Sequence, residues 1–418
     1  MTKETSVKLI PVLVLGLFSS SVWASGFQLS EQNASGLGNF YAGAAAATEN
    51  ASTIFYNPAG MTQLQAREFS AGVSVLGTSL KFTNNGSNAG SLAGTGNGGD
   101  GGAVNAAPNG YISAALSKDV YLGLGLGSPF SLKSDYSNPW LGAAQATSFD
   151  LRTYNINPSM AVRVNDKVSL GVGADWQRIT TDYQRQYDTT AAGSNSPLRI
   201  KLRGSAVGWN AGVLFTVSPS TKLGISYRSE LNYNTTGTAD VTGTLAGTGL
   251  ASDTKAKITL PSTFSFSVSQ ILSDKWQMMG DITRTGWSSV PKIEIFRTSG
   301  ALFQTIDTAF RDTWRVGLGA NYKYSDAVKF KFGIAYDQTP VKSDNTRLVF
   351  APENDRFWLS FGTQWALGKG SALDLGLAYG LSRNAKINNV QTAATLGTVA
   401  GSYDDRTWVL GAQYSTGF

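Results

Sequence analysis

The sequence of 418 residues contains no cysteine and no histidine, and only 15% of its residues are charged. Without histidine it has no Ser-His or Asp-His catalytic pair and no side chain whose ordinary titration lies near neutral pH. Without cysteine it has no thiolate nucleophile, no iron–sulfur cluster and no disulfide. We therefore expect neither an enzyme nor a metal or other cofactor. The net charge of +6 is too small and too dispersed for a nucleic-acid-binding protein.

The first two dozen residues predict an export signal. Lys3 and Lys8 precede the apolar run 9–18, and the stretch closes on the small-x-small residues 22–24. A basic start, an apolar centre and such an end are typical of a secretory signal peptide, here residues 1–24. The apolar run is about half as long as a membrane-spanning helix, so we favour a cleaved signal over an anchor.

Beyond residue 24, long apolar runs are absent and alternating segments take their place. No stretch of about eighteen apolar residues occurs there, which argues against transmembrane helices. Apolar side chains instead recur at every second position, as they do at 120–126, 168–176, 207–217, 264–268, 314–322 and 330–336. A period of two predicts β-strands with one apolar and one polar face.

A soluble β-sandwich has the same period, but three features favour a barrel in a membrane. The non-apolar positions are rich in Gly, Ser and Asn, as expected of a crowded lumen. Aromatic rings, which favour the membrane–water boundary, stand at the ends of the apolar face, at Trp176, Trp276, Tyr336, Trp365, Tyr379, Trp408 and Tyr414. Short turns, at 117–119, 165–167, 218–220, 273–274, 325–326 and 368–370, alternate with long polar loops at 83–107, 131–148, 186–198, 237–255, 291–309, 341–354 and 387–401.

These connections predict an all-β fold, a 14-stranded antiparallel β-barrel in the outer membrane of a Gram-negative bacterium. Even strand numbers are the rule for bacterial barrels, and they place both termini on the side of the short turns, the periplasm. Closure is required because an open sheet edge in lipid would leave backbone groups unpaired. We expect the barrel to span residues 67–418 and the protein to be a monomer.

Residues 25–66 precede the first strand and are expected to form a plug inside the barrel. A lumen enclosed by fourteen strands is larger than its own side chains fill, which favours a plug. A flexible leader is the alternative. The segment carries too many large apolar groups for a solvated tail, namely Phe27, Leu29, Leu37, Phe40, Tyr41, Ile54, Phe55, Tyr56 and Met61.

A series of motifs, in order along the mature chain, resembles the outer-membrane long-chain fatty acid transporter family (FadL type). In the amino-terminal segment they are Ser25-Gly26-Phe27-Gln28-Leu29, Ser35-Gly36-Leu37-Gly38, Tyr41-Ala42-Gly43 and Asn57-Pro58-Ala59-Gly60. In the barrel they are Gly208-Trp209-Asn210-Ala211-Gly212, Tyr227-Arg228-Ser229-Glu230, Leu260-Pro261 and Asp355-Arg356-Phe357-Trp358-Leu359-Ser360. The resemblance implies a barrel plugged by an amino-terminal hatch. It also implies passive uptake of hydrophobic molecules, which bind from outside and leave sideways through a gap in the wall.

The resemblance also implies candidate site residues. Phe27 matches the hatch residue that touches ligand in the family, and the family's basic binding residues map onto Arg185 and Arg311. Spacing leaves Arg178 as an alternative to Arg185, and a solvated position at the rim is an alternative for each arginine. An arginine suits a fatty-acid carboxylate because its guanidinium can bind both oxygens. The residues expected to hold the shape of the hatch are Gly26, Asn57, Pro58 and Gly60.

The third strand contains a candidate lateral opening. Its glycine-rich run 122–127 meets Ser128-Pro129-Phe130. Proline cannot donate to a ladder and glycine permits a bend, so the strand either ends at a loop or kinks inward there. The corresponding strand of the family is kinked, which implies that the opening lies at Gly127, Ser128, Pro129 and Phe130.

The loop at 186–198 is short where the fatty-acid prototype has a long helical insertion. The expected partner is therefore a fatty acid or another hydrophobic small molecule, with aromatic hydrocarbons such as toluene or xylene as the alternative. Outer-membrane lipid and lipopolysaccharide are further expected partners. An adhesive or phage-receptor barrel is a different class that stays open from the sequence.

Overall fold

The computed structural model describes residues 26–88, 96–187, 196–391 and 396–418. The expected signal peptide 1–24 and the middle parts of the loops expected at 83–107, 186–198 and 387–401 lie outside the described residues. Within the described ranges the helices are short, and none is long and apolar enough to cross a membrane.

The described residues form twenty β segments in one hydrogen-bonded sheet. In chain order they are β1 (Arg67–Asn84), β2 (Val104–Ala115), β3 (Val120–Gly127), β4 (Ser131–Asp135), β5 (Ser148–Asn165), β6 (Val168–Gln186), β7 (Pro197–Ser218), β8 (Thr221–Arg228), β9 (Leu231–Val241), β10 (Ser252–Leu260), β11 (Thr263–Ile271), β12 (Trp276–Thr285), β13 (Lys292–Arg297), β14 (Leu302–Asp307), β15 (Thr313–Lys323), β16 (Val328–Asp337), β17 (Arg356–Gly368), β18 (Ser371–Ser382), β19 (Ala385–Val390) and β20 (Thr398–Gly417). In six cases two consecutive segments run in the same direction and form one strand with a break in it. The twenty segments therefore make fourteen strands. The interrupted strands are β3/β4, β8/β9, β10/β11, β12/β13, β14/β15 and β18/β19.

The sheet closes on itself because β1 pairs with β2 on one side and with β20 on the other. The closing ladder is antiparallel and runs from Glu68 opposite Gly417 to Asn84 opposite Gly401. Closure pairs the backbone groups that an open edge would expose to hydrocarbon. The 14-stranded antiparallel barrel predicted from the sequence is thus confirmed, and the two packed sheets of a sandwich are excluded.

Side chains alternate between the outer and the inner face of the wall. On β20, Trp408, Leu410 and Tyr414 are exposed, whereas Val409 and Gln413 are buried. The other strands repeat this pattern, so that the outer face forms an apolar belt with aromatic rings near its edges. Such a belt is typical of a surface that faces lipid.

The short connections lie at one end of the barrel. They occupy 116–119, 166–167, 219–220, 272–275, 324–327 and 369–370, where the sequence predicts turns. The chain ends of the barrel meet at the same end, since the Phe418 amide donates to the Arg67 carbonyl at 3.0 Å. The long loops lie at the opposite end, as expected of an up-and-down barrel.

The polarity of the two faces reverses towards the loop end. On β7, Val207 and Trp209 are exposed, whereas Leu198, Ile200 and Leu202 are buried. The apolar side chains therefore change from odd positions that face outwards to even positions that face the interior. Because only lipid makes an apolar outer face favourable, the reversal marks the level at which the wall leaves the hydrocarbon.

Residues 26–66 lie inside the ring of strands and contact opposite walls. They form a 3₁₀ turn (Leu37–Asn39), a short α-helix, α1 (Thr53–Tyr56), and a 3₁₀ helix (Pro58–Gln63). The first turn contacts β15 to β18, whereas the 3₁₀ helix contacts β3, β5, β6 and β7. This position agrees with the plug expected from the sequence.

Buried wall cations tie this segment to the barrel. The ammonium of Lys331, whose side chain is 1% exposed, lies 2.6 Å from the Glu49 carboxylate of the segment and 2.9 Å from Asp374 of β18. Arg315 of β15 donates to the Phe40 carbonyl of the segment. A buried charge is tolerated only when it is paired, so each cation favours the segment in its present place.

Replacing Lys331 with Met is expected to lower the free energy of unfolding by about 3–5 kcal/mol, because it leaves Glu49 and Asp374 buried without their cation. The measurement is urea unfolding of the barrel in lipid bilayers. Lys323→Met is the matched control, since Lys323 forms an exposed pair with Asp326 and should change stability little. Equal losses in the two variants would contradict this account of the segment's attachment.

Candidate functional site

An apolar cavity, which we call the outer cavity, lies at the loop end of the lumen. Its walls come from strands whose apolar side chains turn inward above the level of reversal. They include Leu132, Phe149, Ile200, Ile258, Phe310 and Phe350. Among the described residues, no charged side chain lines this cavity. A concave site of this composition suits an apolar ligand.

A second cavity, which we call the seam cavity, lies between the start of the amino-terminal segment and strands β1, β2, β4, β16, β17 and β20. Asn105 and Ala107 of β2 belong to its lining. Phe27, Leu132 and Ala351 line both the seam cavity and the outer cavity. The two cavities therefore adjoin at these three side chains.

Phe27 is held at this junction by aromatic neighbours. Its ring centroid lies 4.6 Å from that of Trp287 and 6.2 Å from that of Phe130, both edge to face. Gly26, just before it, has φ +68°, and a Cβ there would lie 2.5 Å from Trp287 Cζ2. Only glycine accommodates both constraints, which fits the structural role predicted for Gly26.

The wall strand made by β3 and β4 is interrupted at Ser128–Phe130, where the sequence predicts a kink or an end. β3 ends at Gly127 and β4 begins at Ser131, and the three residues between them face only two residues of β5. Thr153 of β5 compensates for the lost ladder, because its amide donates to the Phe130 carbonyl and its hydroxyl accepts from the Phe130 amide. The strand therefore continues past an irregular segment with one extra residue and stays hydrogen-bonded to β5, rather than ending there.

The backbone hydrogen-bond ladder between β3 and β2 ends just before the interruption at Ser128–Phe130. Gly110 opposite Leu126 is its last pair. Within the described ranges, residues 104–109 of β2 form no ladder with β4, although they remain paired with β1. The wall therefore contains an unpaired seam between β2 and β4, and the seam cavity abuts it.

The amino-terminal segment pairs with the interruption from inside the barrel. The Leu29 amide donates to the Pro129 carbonyl at 2.8 Å, and the Ser131 amide donates to the Phe27 carbonyl at 3.1 Å. The side chain of Gln32 donates to the Ser128 carbonyl at 2.8 Å. The backbone of the interruption is thus satisfied partly by the segment rather than by the wall.

Arg185 lies inside the barrel, beside the outer cavity. Its side chain is 7% exposed, and its Nε donates at 3.2 Å to Gln304, which in turn donates to the Tyr183 hydroxyl. Tyr183 lines the outer cavity. Within the described ranges, no carboxylate forms an ion pair with Arg185. A buried guanidinium of this kind is suited to an anionic group of a ligand.

The other two candidate arginines differ in position. Arg311 follows Phe310, which lines the outer cavity, and its Nε donates to the Thr339 carbonyl at 3.3 Å. Arg178 is exposed on the outer face of β6, two positions after the outward-facing Trp176 and opposite Ser205. The expectation that Arg178 reaches ligand in the lumen is therefore wrong, because even positions of β6 face outwards at this level.

The remaining candidate residues shape the amino-terminal segment. Asn57 Nδ2 donates to the carbonyls of Ala45 and Val213, at 2.7 and 3.0 Å, and so joins the segment to β7. Pro58 begins a 3₁₀ helix, where its fixed φ fits. A side chain at Gly60 would overlap the Thr53 hydroxyl. These contacts support the structural roles predicted for Asn57, Pro58 and Gly60.

Comparison with known proteins identifies the family. Residues 15–418 match the family described as outer membrane protein transport protein (OMPP1/FadL/TodX). The chain belongs to this family. It is accordingly a protein of the outer membrane of a Gram-negative bacterium.

Its relatives match it over nearly their whole length. The chain is 28% identical to the long-chain fatty acid transport protein of Escherichia coli strain K12, over 97% of each chain. It is also 28% identical to outer membrane protein P1 of Haemophilus influenzae strain Rd, over 90% of this chain and 91% of that one.

Solved structures share the fold of this FadL/TodX family member. A Pseudomonas aeruginosa FadL homologue superimposes with a TM-score of 0.86 at 21% identity, over 94% of this chain and 99% of that one. The Pseudomonas putida toluene transporter TodX superimposes with a TM-score of 0.71 at 15% identity, over 95% and 99%.

Sequence reasoning missed three arginines that line the lumen of this family member. Arg228 and Arg315 line a cavity between the segment and strands β7, β8, β11, β12 and β15, and Arg356 lines the seam cavity. Each of them pairs with a wall carboxylate, as Arg356 does with Asp405 at 2.6 Å. Arg228 and Arg356 stand in motifs that carried the resemblance, so a signal for them was present in the sequence.

Two carboxyl groups beside the seam cavity favour their neutral forms. Burial, with a smaller contribution from the nearby Asp337, raises the pKa of Glu31 to about 7 against the opposing effects of a backbone hydrogen bond, Arg315 and Arg356. Burial likewise raises the pKa of Glu353 to about 8. Both groups therefore titrate near neutral pH although the protein has no histidine.

The raised pKa of Glu31 predicts that the start of the amino-terminal segment is held less firmly at alkaline pH. The folded pKa exceeds the ordinary 4.5, so the stabilisation is complete below about pH 4.5 and is lost as the pH rises through about 7. The full loss amounts to about 3 kcal/mol. A single cysteine at Ser30 reports it, because the chain has no other thiol.

The measurement compares the labelling rate of Ser30→Cys with that of Ser30→Cys/Glu31→Gln, at pH 6 and at pH 8.5. Taking the ratio of the two variants at each pH cancels the titration of the thiol itself. The ratio should rise by about tenfold or more between the two pH values. A ratio that does not change with pH would refute the role of Glu31.

Proposed function

We propose that the protein takes up long-chain fatty acids or similar hydrophobic molecules passively across the outer membrane. The molecules bind in the outer cavity and leave sideways through the seam between β2 and β4. The observation that carries this proposal is the junction of the outer and seam cavities at Phe27, Leu132 and Ala351. It supports a continuous route from the loop end to the unpaired part of the wall.

The energetics of transfer favour such a route. An acyl chain gains on the order of 0.8 kcal/mol for each methylene that leaves water. A water-filled pore would forgo that gain, whereas binding in the apolar outer cavity retains it. Uptake by this route then needs no energy source.

Residues 25–66 act in this proposal as the hatch that closes the lumen of the barrel, residues 67–418, after removal of the signal peptide 1–24. The buried ion pairs at Lys331 and Arg315 support this role because they fix the segment across the lumen. The start of the hatch, with Phe27, then controls passage between the two cavities.

Arg185 favours an amphiphile with an anionic head over a pure hydrocarbon. A fatty acid can place its chain in the outer cavity and its carboxylate towards the guanidinium, through the position now taken by Gln304. The printed name of the Escherichia coli relative, a long-chain fatty acid transport protein, agrees with this substrate class.

Aromatic hydrocarbons are the second candidate substrates. The absence of charged groups from the lining of the outer cavity, among the described residues, favours them. The fold is also shared with the toluene transporter TodX. In either case we propose a monomer that contacts outer-membrane lipid and lipopolysaccharide.

Replacing Arg185 with Gln is expected to reduce uptake of labelled oleate by about tenfold, because a charge-assisted hydrogen bond is lost, and to leave toluene uptake unchanged. Uptake is measured in liposomes that contain the mature protein. Arg406→Gln is the control, because Arg406 is exposed on the outer face of β20. Unchanged oleate uptake in Arg185→Gln would remove the carboxylate role, and Arg311→Gln would then test the other candidate.

Filling the seam cavity is expected to block both substrates. Ala107 is buried on β2 and lines that cavity, so Ala107→Trp should reduce uptake by about tenfold or more. Val104→Trp adds the same ring to the exposed outer face of the same strand and should have little effect. Full uptake by a correctly folded Ala107→Trp barrel would contradict exit through the seam.

A further inference from the structure

The outer face of the barrel carries a group of exposed cations just above the apolar belt. Arg203 of β7 lies in one row with Lys255 of β10, because Thr236 of β9 is directly opposite both. Thr180 of β6 is opposite Arg203 on the other side and continues the row. Neighbours in such a row have Cβ atoms about 5 Å apart, so long side chains can reach one phosphate-sized group between them.

Two more cations lie one row closer to the belt. Arg178 is opposite Tyr154 and Ser205, and Lys257 is opposite Asn234. All of these side chains are exposed. We call Arg178, Arg203, Lys255 and Lys257 the cation face.

The cation face lacks carboxylate partners in the part of the chain that the structure describes. The arginine beside it, Arg152, is paired with Asp150 at 2.7 Å, and Arg199 is paired with Asp182. No ion pair joins any of the four cations to a described carboxylate. Because like charges on neighbouring strands repel, the face favours an external anion.

The height of the face on the barrel indicates which anion it meets. Trp176 and Val207 lie next to the cation face on its turn-end side. Both are exposed, and they form the start of the lipid-facing belt. The four cations therefore stand where lipid headgroups contact the wall, at the level where the polarity of β7 reverses. Guanidinium groups and threonine hydroxyls are good donors to phosphate oxygens.

We propose that the cation face binds the phosphate groups of a phosphorylated glycolipid of the outer leaflet, the lipid A part of lipopolysaccharide. Its acyl chains pack against the apolar belt below, while Arg178, Arg203, Lys255 and Lys257 hold the phosphates. Arg178 thus has a role outside the lumen. This site does not depend on transport, so the test of lipid A binding is separate from the test of the proposed uptake function.

The test uses the full mature protein in detergent and bisphosphorylated lipid A as the probe, with binding followed by native mass spectrometry. The face variant carries Arg178→Gln, Arg203→Gln, Lys255→Gln and Lys257→Gln. Its affinity for lipid A should fall by about tenfold or more. Because these side chains are exposed, the barrel should keep its heat-modifiable mobility, which checks folding.

A matched control removes four exposed lysines at the turn end, through Lys118→Gln, Lys167→Gln, Lys275→Gln and Lys369→Gln. It lowers the net charge equally and should bind lipid A like the unmodified protein. Dephosphorylated lipid A, phosphatidylglycerol and inorganic phosphate should all bind the unmodified protein at least about fivefold more weakly. The proposal is overturned if the face variant keeps full affinity, if the control loses as much, or if any of these three probes binds as well as lipid A.

Discussion

The constraint on which the structure depends is that every backbone polar group in hydrocarbon must find a partner within the protein. It explains the closing ladder between β1 and β20. It also explains how the interruption at Ser128–Phe130 is built. Pro129 brings no amide that would need a partner, Thr153 supplies both a donor and an acceptor to Phe130, and Leu29 donates to the Pro129 carbonyl. The backbone groups of this interruption are therefore satisfied from β5 and from inside the barrel, although the ladder to β2 is missing there.

Charged side chains in the interior are likewise paired within the protein. The lumen contains the buried Lys331 and Arg315 and the partly buried Arg228 and Arg356, and each is paired with a carboxylate of the wall or of the amino-terminal segment. The first described residues, up to Glu31, contact the wall mainly through hydrogen bonds and aromatic rings. The firmly held part of the segment and the part that borders the seam are therefore built from different interactions, and these respond differently to pH.

At the loop end, the alternation of side chains along the strands links the interior of the barrel to its outer surface. Above the level of reversal, the even positions of β7 from Leu198 to Leu202 line the interior with apolar side chains, while Arg199, Lys201 and Arg203 face outwards. Because side chains alternate strictly along a strand, the two faces can differ in polarity, and above the hydrocarbon the outer face meets water and headgroups and is polar. The outer cavity and the cation face are two consequences of the same alternation.

Much of the fold was predictable from the sequence. Period-two alternation, the positions of six short turns and an even strand count depend on local chemistry, and they led to the 14-stranded barrel. The large apolar groups of residues 25–66 led separately to the expectation of a plug. The break after Gly127 was also visible, since glycine and proline act locally. The sequence did not predict the cavities, the partner of each lumen arginine or the outward position of Arg178. These features depend on register across strands far apart in the chain and on the level at which polarity reverses. The sequence by itself determined that the chain closes into a barrel in a membrane; only the tertiary structure decided which side chains meet inside it, because long-range register leaves no local signal.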